Sequence, residues 1–217
     1  MKNLPRIFIE RKLSVGTRVP LTLEQYHYLT RVMRTNRFFA FNDGIEYEAE
    51  IIGDGLSSII SSTGRADTSG KWTFCFAPIK RIEDLISGVV QMGAGRLQPV
   101  LTERTVARHI NWNRMRKIVI ENCEQSGRSS IPELLPPIPF SGLDKKDLIF
   151  GDERKVRNYG VRVANGNSKL FIGPEGGFSN AEFAALDSGG AVGVSLGKTI
   201  LRAEVAAIAL CAHFHET

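Results

Sequence analysis

Apolar and polar positions change their period partway along this chain of 217 residues. Residues Arg6 to Glu10 alternate as a strand does. Pro20-Leu21-Thr22 then opens a helix, with Thr22 and Gln25 at the spacing of a capping box. On that helix Tyr26, Leu29, Val32 and Met33 share one face, and Arg31, Arg34 and the nearby Arg37 flank the other. From Phe38 to Thr63 the period is two. Phe38 to Phe41, Ile45 to Ile52 and Ser57 to Ser62 read as strands, divided by the turns Asn42-Asp43-Gly44 and Gly53-Asp54-Gly55. A small β-barrel or β-meander is expected there. Thr63 to Gly70 is small, polar and glycine-bearing, the best candidate for a linker.

Beyond the linker, strand and helix patterns alternate: Trp72 to Ala77 strand, Ile79 to Gly93 helix, Leu97 to Leu101 strand, Asn113 to Gln125 helix. That rhythm predicts an α/β domain with a largely parallel sheet. A proline-rich loop (Pro132, Pro136, Pro137, Pro139) precedes three short buried-strand patterns, Leu148 to Phe150, Leu170 to Ile172 and Ala191 to Leu196. Ser179 and Glu182 form a second capping box. Ala203 to His213 closes the chain as an alanine-rich helix, apolar on most sides, as suits burial against the sheet or a second subunit. The domains are therefore expected at 1–68 and 69–217.

Composition narrows the classes. The longest apolar runs are too short to cross a bilayer, and Met1 to Arg6 lacks the apolar core of a signal peptide, so a cytoplasmic location without a membrane partner is expected. Cys75, Cys123 and Cys211 are far apart and odd in number, which predicts buried thiols and neither disulfides nor a zinc site. Cys211, His213 and His215 do not share a helix face, so no metal is expected there either. The net charge is +5 and arginine-rich, with clusters at Arg31/Arg34/Arg37, Arg104/Arg108, Arg114/Arg116/Lys117 and Arg154/Lys155/Arg157. Such a balance favours a polyanionic partner, although charge alone does not separate a nucleic-acid surface from a solvated one.

Two stretches carry the chemistry. In Leu170 to Phe178 and in Leu196 to Glu204, an apolar run ends abruptly in glycine and feeds a helix, which exposes backbone groups where α/β proteins bind ligands. Gly197-Lys198-Thr199 is no phosphate-binding P-loop. Val192 stands where such a loop needs glycine, Gly193 is one residue out of register, and the acidic strand Leu148 to Glu153 precedes the loop. In Gly173-Pro174-Glu175-Gly176-Gly177 one carboxylate sits among groups without bulk, either as a ligand site or as a plain turn with Glu175 in solvent. Arg202 falls at the start of the last helix, where the macrodipole disfavours a cation. Glu204, Glu175 or an anionic ligand would compensate it. Glu124-Gln125-Ser126-Gly127-Arg128 ends a helix at Gly127, as a simple cap with Arg128 on the surface or as part of a site.

Taken together, Arg6-Ile7-Phe8-Ile9, His27-Tyr28-Leu29 with Val32-Met33-Arg34, Pro99 with Thr102-Glu103-Arg104, Glu124 to Arg128 with Ile131-Pro132, Ile172 to Ser179 with Glu182, and Leu196-Gly197 with Ile200 to Glu204 form an ordered set. In that set the sequence resembles the RsmE-like family of ribosomal RNA methyltransferases, members of the SPOUT superfamily that methylate N3 of a uridine in 16S ribosomal RNA. The resemblance implies a PUA-like β-barrel for RNA at 1–68 and a SPOUT-type α/β domain with a deep trefoil knot at 69–217. It implies S-adenosylmethionine as cofactor, bent against Ile172, Gly173, Pro174, Glu175, Gly176, Gly177, Leu196, Gly197, Ile200 and Leu201. It also implies an obligate homodimer completing each site, with the small ribosomal subunit as partner. In the chemistry so implied, Arg202, with Arg128 of the partner subunit, stabilises the uracil anion, and Glu175 or Glu204 orients that arginine or takes the N3 proton. Arg6, Arg31, Arg34, Arg104 and Arg128 are the implied RNA contacts. A related knotted enzyme acting on another RNA, or a silent RNA-binding member, are the alternatives; the retained Glu175, Arg202 and Glu204 argue against the silent one. The chain departs from the family at Gly88 and Gln91-Met92-Gly93, where members carry a Lys and a Glu-Leu-Gly. It departs also at Val205 in place of threonine, and in a shortened segment between Arg34 and Gly44.

Overall fold

The fold is a computed structural model that describes residues 4–67, 70–107, 109–154 and 168–214. The chain forms two compact units, Met1–Ser69 with Ile120–Ile131, and Gly70–Val119 with Pro132–Thr217.

The first unit is built on β1 (Arg6–Phe8), β2 (Arg18–Pro20), β3 (Arg37–Asn42), β4 (Ile45–Gly53) and β5 (Leu56–Ala66), in the order β1-β3-β4-β5-β2. The β1–β3 pair is parallel and the others are antiparallel. Among the described residues the pairing runs as an open path from β1 to β2 and does not close on itself. Asp43 and Gly44, at φ 51° and 80°, make the tight two-residue turn between β3 and β4. Leu29, Phe38, Ala40, Ala49 and Ile59 are the core of this unit.

Two sequence expectations are corrected here. Thr22 caps α1 (Leu23–His27) through the full capping box, but the helix then passes into a π turn over Tyr28–Val32, where the Met33 N–H reaches the Tyr28 carbonyl. The wider turn rephases the face. Leu29 stays buried, while Val32 and Met33, expected inside, are exposed. The supposed linker begins late as well, because β5 continues through Thr63 to Ala66, which pairs with Ile45.

The second unit comprises β6 (Thr73–Phe76), α2 (Ile82–Gln91), β7 (Arg96–Leu101), α3 (Trp112–Ser126, whose end belongs to the first unit), β8 (Glu133–Leu134), β9 (Ile138–Pro139), β10 (Leu148–Gly151), β11 (Lys169–Ile172), α4 (Asn180–Ser188), β12 (Val192–Val194) and α5 (Ala203–Phe214). Short strands β8 and β9 thus occupy part of the expected proline loop. The strand order is β12-β10-β11-β6-β7-β8, with β9 also on β7, and every pair is parallel. The alternating strand-helix rhythm is an α/β fold.

Parallel pairing brings the C-terminal ends of β10, β11, β12 and β6 to one edge, so the loops that follow them meet there. The core beneath is aromatic. Phe178 lies 5.1 Å from Phe171 and 5.4 Å from Phe183 between ring centres. Helix α2 approaches α5 at Gly88, where a Cβ would stand 2.6 Å from Ile208. Gly88 thus leaves the room that the end of the Ile208 side chain occupies. On α5, Ala207, Leu210 and Cys211 are buried, whereas Val205 and Ile208 are exposed, so only one face meets the sheet. All three cysteines are buried free thiols, and burial pushes Cys75 and Cys123 up to about 12. No helix among the described residues is long and apolar enough to cross a membrane.

Candidate functional site

The ends of β10, β11 and β12, the segment after β6 and the start of α5 enclose a cavity of about 670 Å³. One wall is the glycine turn after β11. The Gly177 N–H meets the Pro174 carbonyl at 2.9 Å, and Gly177 takes φ +68°, which favours glycine. A Cβ on Gly173 would lie 2.9 Å from the Phe178 ring, so this turn is as tight as its core allows. Residues far away hold it. The Lys80 N–H donates to Glu175 Oε1 at 2.9 Å, and Arg104 Nη1 donates to the Gly176 carbonyl at 2.8 Å. Buried Glu182 accepts from the N–H groups of Ser179 and Glu103, at 2.9 and 2.8 Å, which joins the capping box of α4 to the Thr102-Glu103-Arg104 segment.

The opposite wall runs from β12 to α5. Gly197, at φ +129°, would meet nothing within 4 Å of a Cβ, so its backbone lies open to the cavity. Ile200 is 96% exposed beside it, an apolar side chain at the lip without cover. Arg202 precedes α5, and its carbonyl accepts the Ala206 N–H at 2.8 Å. Among the described residues its guanidinium has no ion-pair or hydrogen-bond partner. Neither carboxylate expected to compensate it does so. Glu175 takes the Lys80 N–H, and Glu204, its side chain 12% exposed, has Arg81 Nη1 at 3.9 Å.

Of the residues expected around a cofactor, Ile172, Gly173, Pro174, Glu175, Gly177, Leu196, Gly197, Ile200 and Leu201 line the cavity, together with Arg202 and Glu204. Gly176 does not; its carbonyl is turned to Arg104. The lining also includes Lys80, Arg81, Asp152 and Glu153, charged residues that the sequence reading did not name as site members. The signal was present for the last two in the apolar strand ending Gly151-Asp152-Glu153, which the P-loop comparison set aside.

The expected RNA-contact arginines separate into two groups. Arg31, Arg34 and Arg104 are exposed. Arg6 and Arg128 are not, and both are engaged by groups within the first unit. Arg6 pairs with Glu46 at 2.8 Å, donates to the Arg128 carbonyl and to Ser129 Oγ, and lies 4.8 Å over the Phe41 ring. Arg128 is 6% exposed with Asp67 at 4.0 Å, and Asp67 also accepts the N–H groups of Ser129 and Ser130. Burial lowers both guanidinium pKa values, opposed by Glu46 for Arg6 and by Cys123 and Asp67 for Arg128. Gly127, at φ +79°, ends α3 as a glycine cap does, but Arg128 then turns inward, away from the surface expected for it. Arg108, Lys155, Arg157 and His215 lie outside the described residues.

The sequence model of the RNA methyltransferase domain matches residues 67–215. A ribosomal RNA small subunit methyltransferase E of Rickettsia conorii is 30% identical over 224 residues, spanning 94% of this chain and 91% of that protein. The protein of the same name from Synechocystis is 27% identical over 93% of this chain and 74% of its own. Among solved structures, a ribosomal RNA small subunit methyltransferase E from Neisseria gonorrhoeae bound to S-adenosyl methionine superposes with a TM-score of 0.85 at 28% identity, over 97% of this chain and 96% of that one.

Proposed function

Because the chain belongs to the RsmE-like family of RNA methyltransferases, we propose that it transfers a methyl group from S-adenosylmethionine to N3 of a uridine in the 16S ribosomal RNA of the small subunit. The observation that carries this reading is the cavity between two glycine turns at the ends of β10, β11 and β12. Its volume suits a small ligand, which typically occupies roughly 300–1,000 Å³. Its walls present open backbone at Gly197 and side chains of both signs, as a cofactor with carboxylate, ammonium and sulfonium groups requires. Ile172, Gly173, Pro174, Glu175 and Gly177 would hold it from one side, and Leu196, Gly197, Ile200 and Leu201 from the other. When bound, the cofactor supplies an electrophilic methyl group.

The protein's share is to position and to manage charge. Arg202, uncommitted at the cavity wall, stabilises negative charge developing on the uracil carbonyl oxygens. Glu175 spends one oxygen on the Lys80 N–H and Glu204 faces Arg81, and one of these two carboxylates receives the N3 proton. The first unit acts as a PUA-like barrel whose exposed Arg31 and Arg34 meet RNA phosphates, and the second as a SPOUT domain with a trefoil knot, divided near residues 68 and 69. The exposed Val205 and Ile208 on α5 favour a homodimer. A cytoplasmic location follows from the substrate.

The test supplies purified protein with methyl-labelled cofactor and undermethylated small subunits. Labelled N3-methyluridine is expected. Tight RNA binding without transfer would replace this reading with a binding module, and label in a different RNA would redirect the substrate.

A further inference from the structure

Among the described residues four carboxylates line the cavity, and three of them are engaged. Asp152 is buried and held by Arg154, Glu175 accepts the Lys80 N–H, and Glu204 has Arg81 beside it. Glu153 is exposed and, among the described residues, has neither a hydrogen bond nor an ion pair.

Its position is nonetheless built. On one side Asp152 accepts from Arg154 Nε at 2.9 Å and Nη2 at 2.8 Å, and from the Arg154 N–H at 3.0 Å. The same guanidinium reaches Asp187 at 3.1 and 3.2 Å and lies 3.8 Å over the Phe183 ring. Asp152 in turn fills the space beside Gly193, where a Cβ would stand 2.5 Å from Oδ2. Glu153 is therefore carried on a turn braced by both of its neighbours. Its Oε1 lies 3.1 Å from the point a Cβ on Gly177 would take, so the bare glycine makes its room. A second cavity, of about 430 Å³, is lined by Arg104, Arg154 and Asn180 and shares Glu153, Phe178 and Phe183 with the first. Glu153 stands on the wall common to both.

A methyl donor carries its positive charge at the sulfonium, and an uncommitted carboxylate held on the cavity wall is a group able to answer that charge. Resting on the methyltransferase reading above, we propose that Glu153 faces the sulfonium of the donor and selects S-adenosylmethionine over the uncharged thioether left after transfer, S-adenosylhomocysteine. Donor and product differ by one methyl and one positive charge, so shape separates them weakly and charge is the available handle. The neighbouring cations do not cancel this carboxylate by contact. Arg154 is committed to Asp152 and Asp187, and Arg104 donates to the Gly176 carbonyl. Lys80, Arg81, Lys198 and Arg202 line the cavity from the segments after β6 and before α5. Selection of this kind limits inhibition by product without a steric gate.

Calorimetric titration of the full chain with each compound, without RNA, tests this. Glu153→Gln keeps the size of the side chain and removes its charge. The expected result is affinity for S-adenosylmethionine weakened about fivefold, the scale of a partly exposed ion pair, with affinity for S-adenosylhomocysteine within about twofold of wild type. Added salt should narrow the wild-type preference for the donor. Equal weakening of both compounds, or a ratio unchanged by the substitution, would overturn the assignment. A wild type that binds neither compound would instead overturn the cofactor reading beneath it, an outcome distinct from an unchanged ratio.

Discussion

Arg202 carries its charge at the end of α5 where the helix dipole makes a cation least welcome, and no carboxylate among the described residues meets it. A group kept in that state has its interaction elsewhere, which is the argument for its role against uracil. Arg202→Ala should lower turnover by roughly 10²- to 10³-fold, the usual loss for one charge-stabilising donor. Cofactor affinity, read by calorimetry, should hardly change; unaltered turnover would remove Arg202 from the mechanism. The other arginines separate by burial. Arg34→Ala, on the surface, should weaken RNA binding and flatten its salt dependence while leaving stability unchanged. Arg128→Ala leaves Asp67 buried beside a hole, and urea unfolding should report a loss of about 3 kcal/mol. All of these side chains read alike in the sequence, as arginines flanking apolar runs. Only the positions of Glu46 and Asp67, remote in sequence from Arg6 and Arg128, show which of them serve the fold.

At the scale of elements, the features legible in advance were those written in neighbouring residues. The Thr22 and Ser179 capping boxes close within three residues, and both are formed as their spacing predicts. The π turn at Tyr28–Val32 was not legible, since a 3.6-residue period carried forward from Tyr26 places Val32 and Met33 inside. Strand β5 outran its expected end for a different reason: Ala66 is paired by Ile45, a contact no local composition reports. Between α2 and α5 the fit is set by a missing side chain. Gly88→Ala would place a methyl against the end of the Ile208 side chain, which is partly exposed and can turn aside, so the gain of about 1 kcal/mol for alanine over glycine inside a helix should be largely cancelled and stability should change by less than about 1 kcal/mol. In the double variant with Ile208→Ala denaturant unfolding should show that gain in full, and no gain would mean that Ile208 does not set the fit.

For the molecule as a whole, pH is a lever through Glu124. Its carboxylate is pushed up to about 7 by burial, although the Phe8 N–H donates to it at 3.0 Å. Unfolded, it titrates near the ordinary value of about 4.3. Between these values the folded chain holds a proton that the unfolded chain has released, so stability falls as pH rises through that window. The shift corresponds to at most about 4 kcal/mol lost by pH 8. Glu124→Gln should flatten the stability profile between pH 5 and 7, measured by urea unfolding at each pH. A profile equally steep in the variant would assign the slope to another group. The sequence by itself determined the alternation of strands and helices, the parallel α/β half and the two glycine turns at strand ends, because periodicity, capping and backbone freedom are properties of adjacent residues. Tertiary structure alone decided that Glu175 answers Lys80, that Glu204 faces Arg81 and not Arg202, that Arg6 and Arg128 turn inward to partners within the fold, and that Gly177 makes room for Glu153. The contacts at the cavity are set by which distant strand ends the parallel pairing brings together, those of Arg6 and Arg128 by the strand pairing of the first unit, and side-chain charge finds its partner only after that pairing exists.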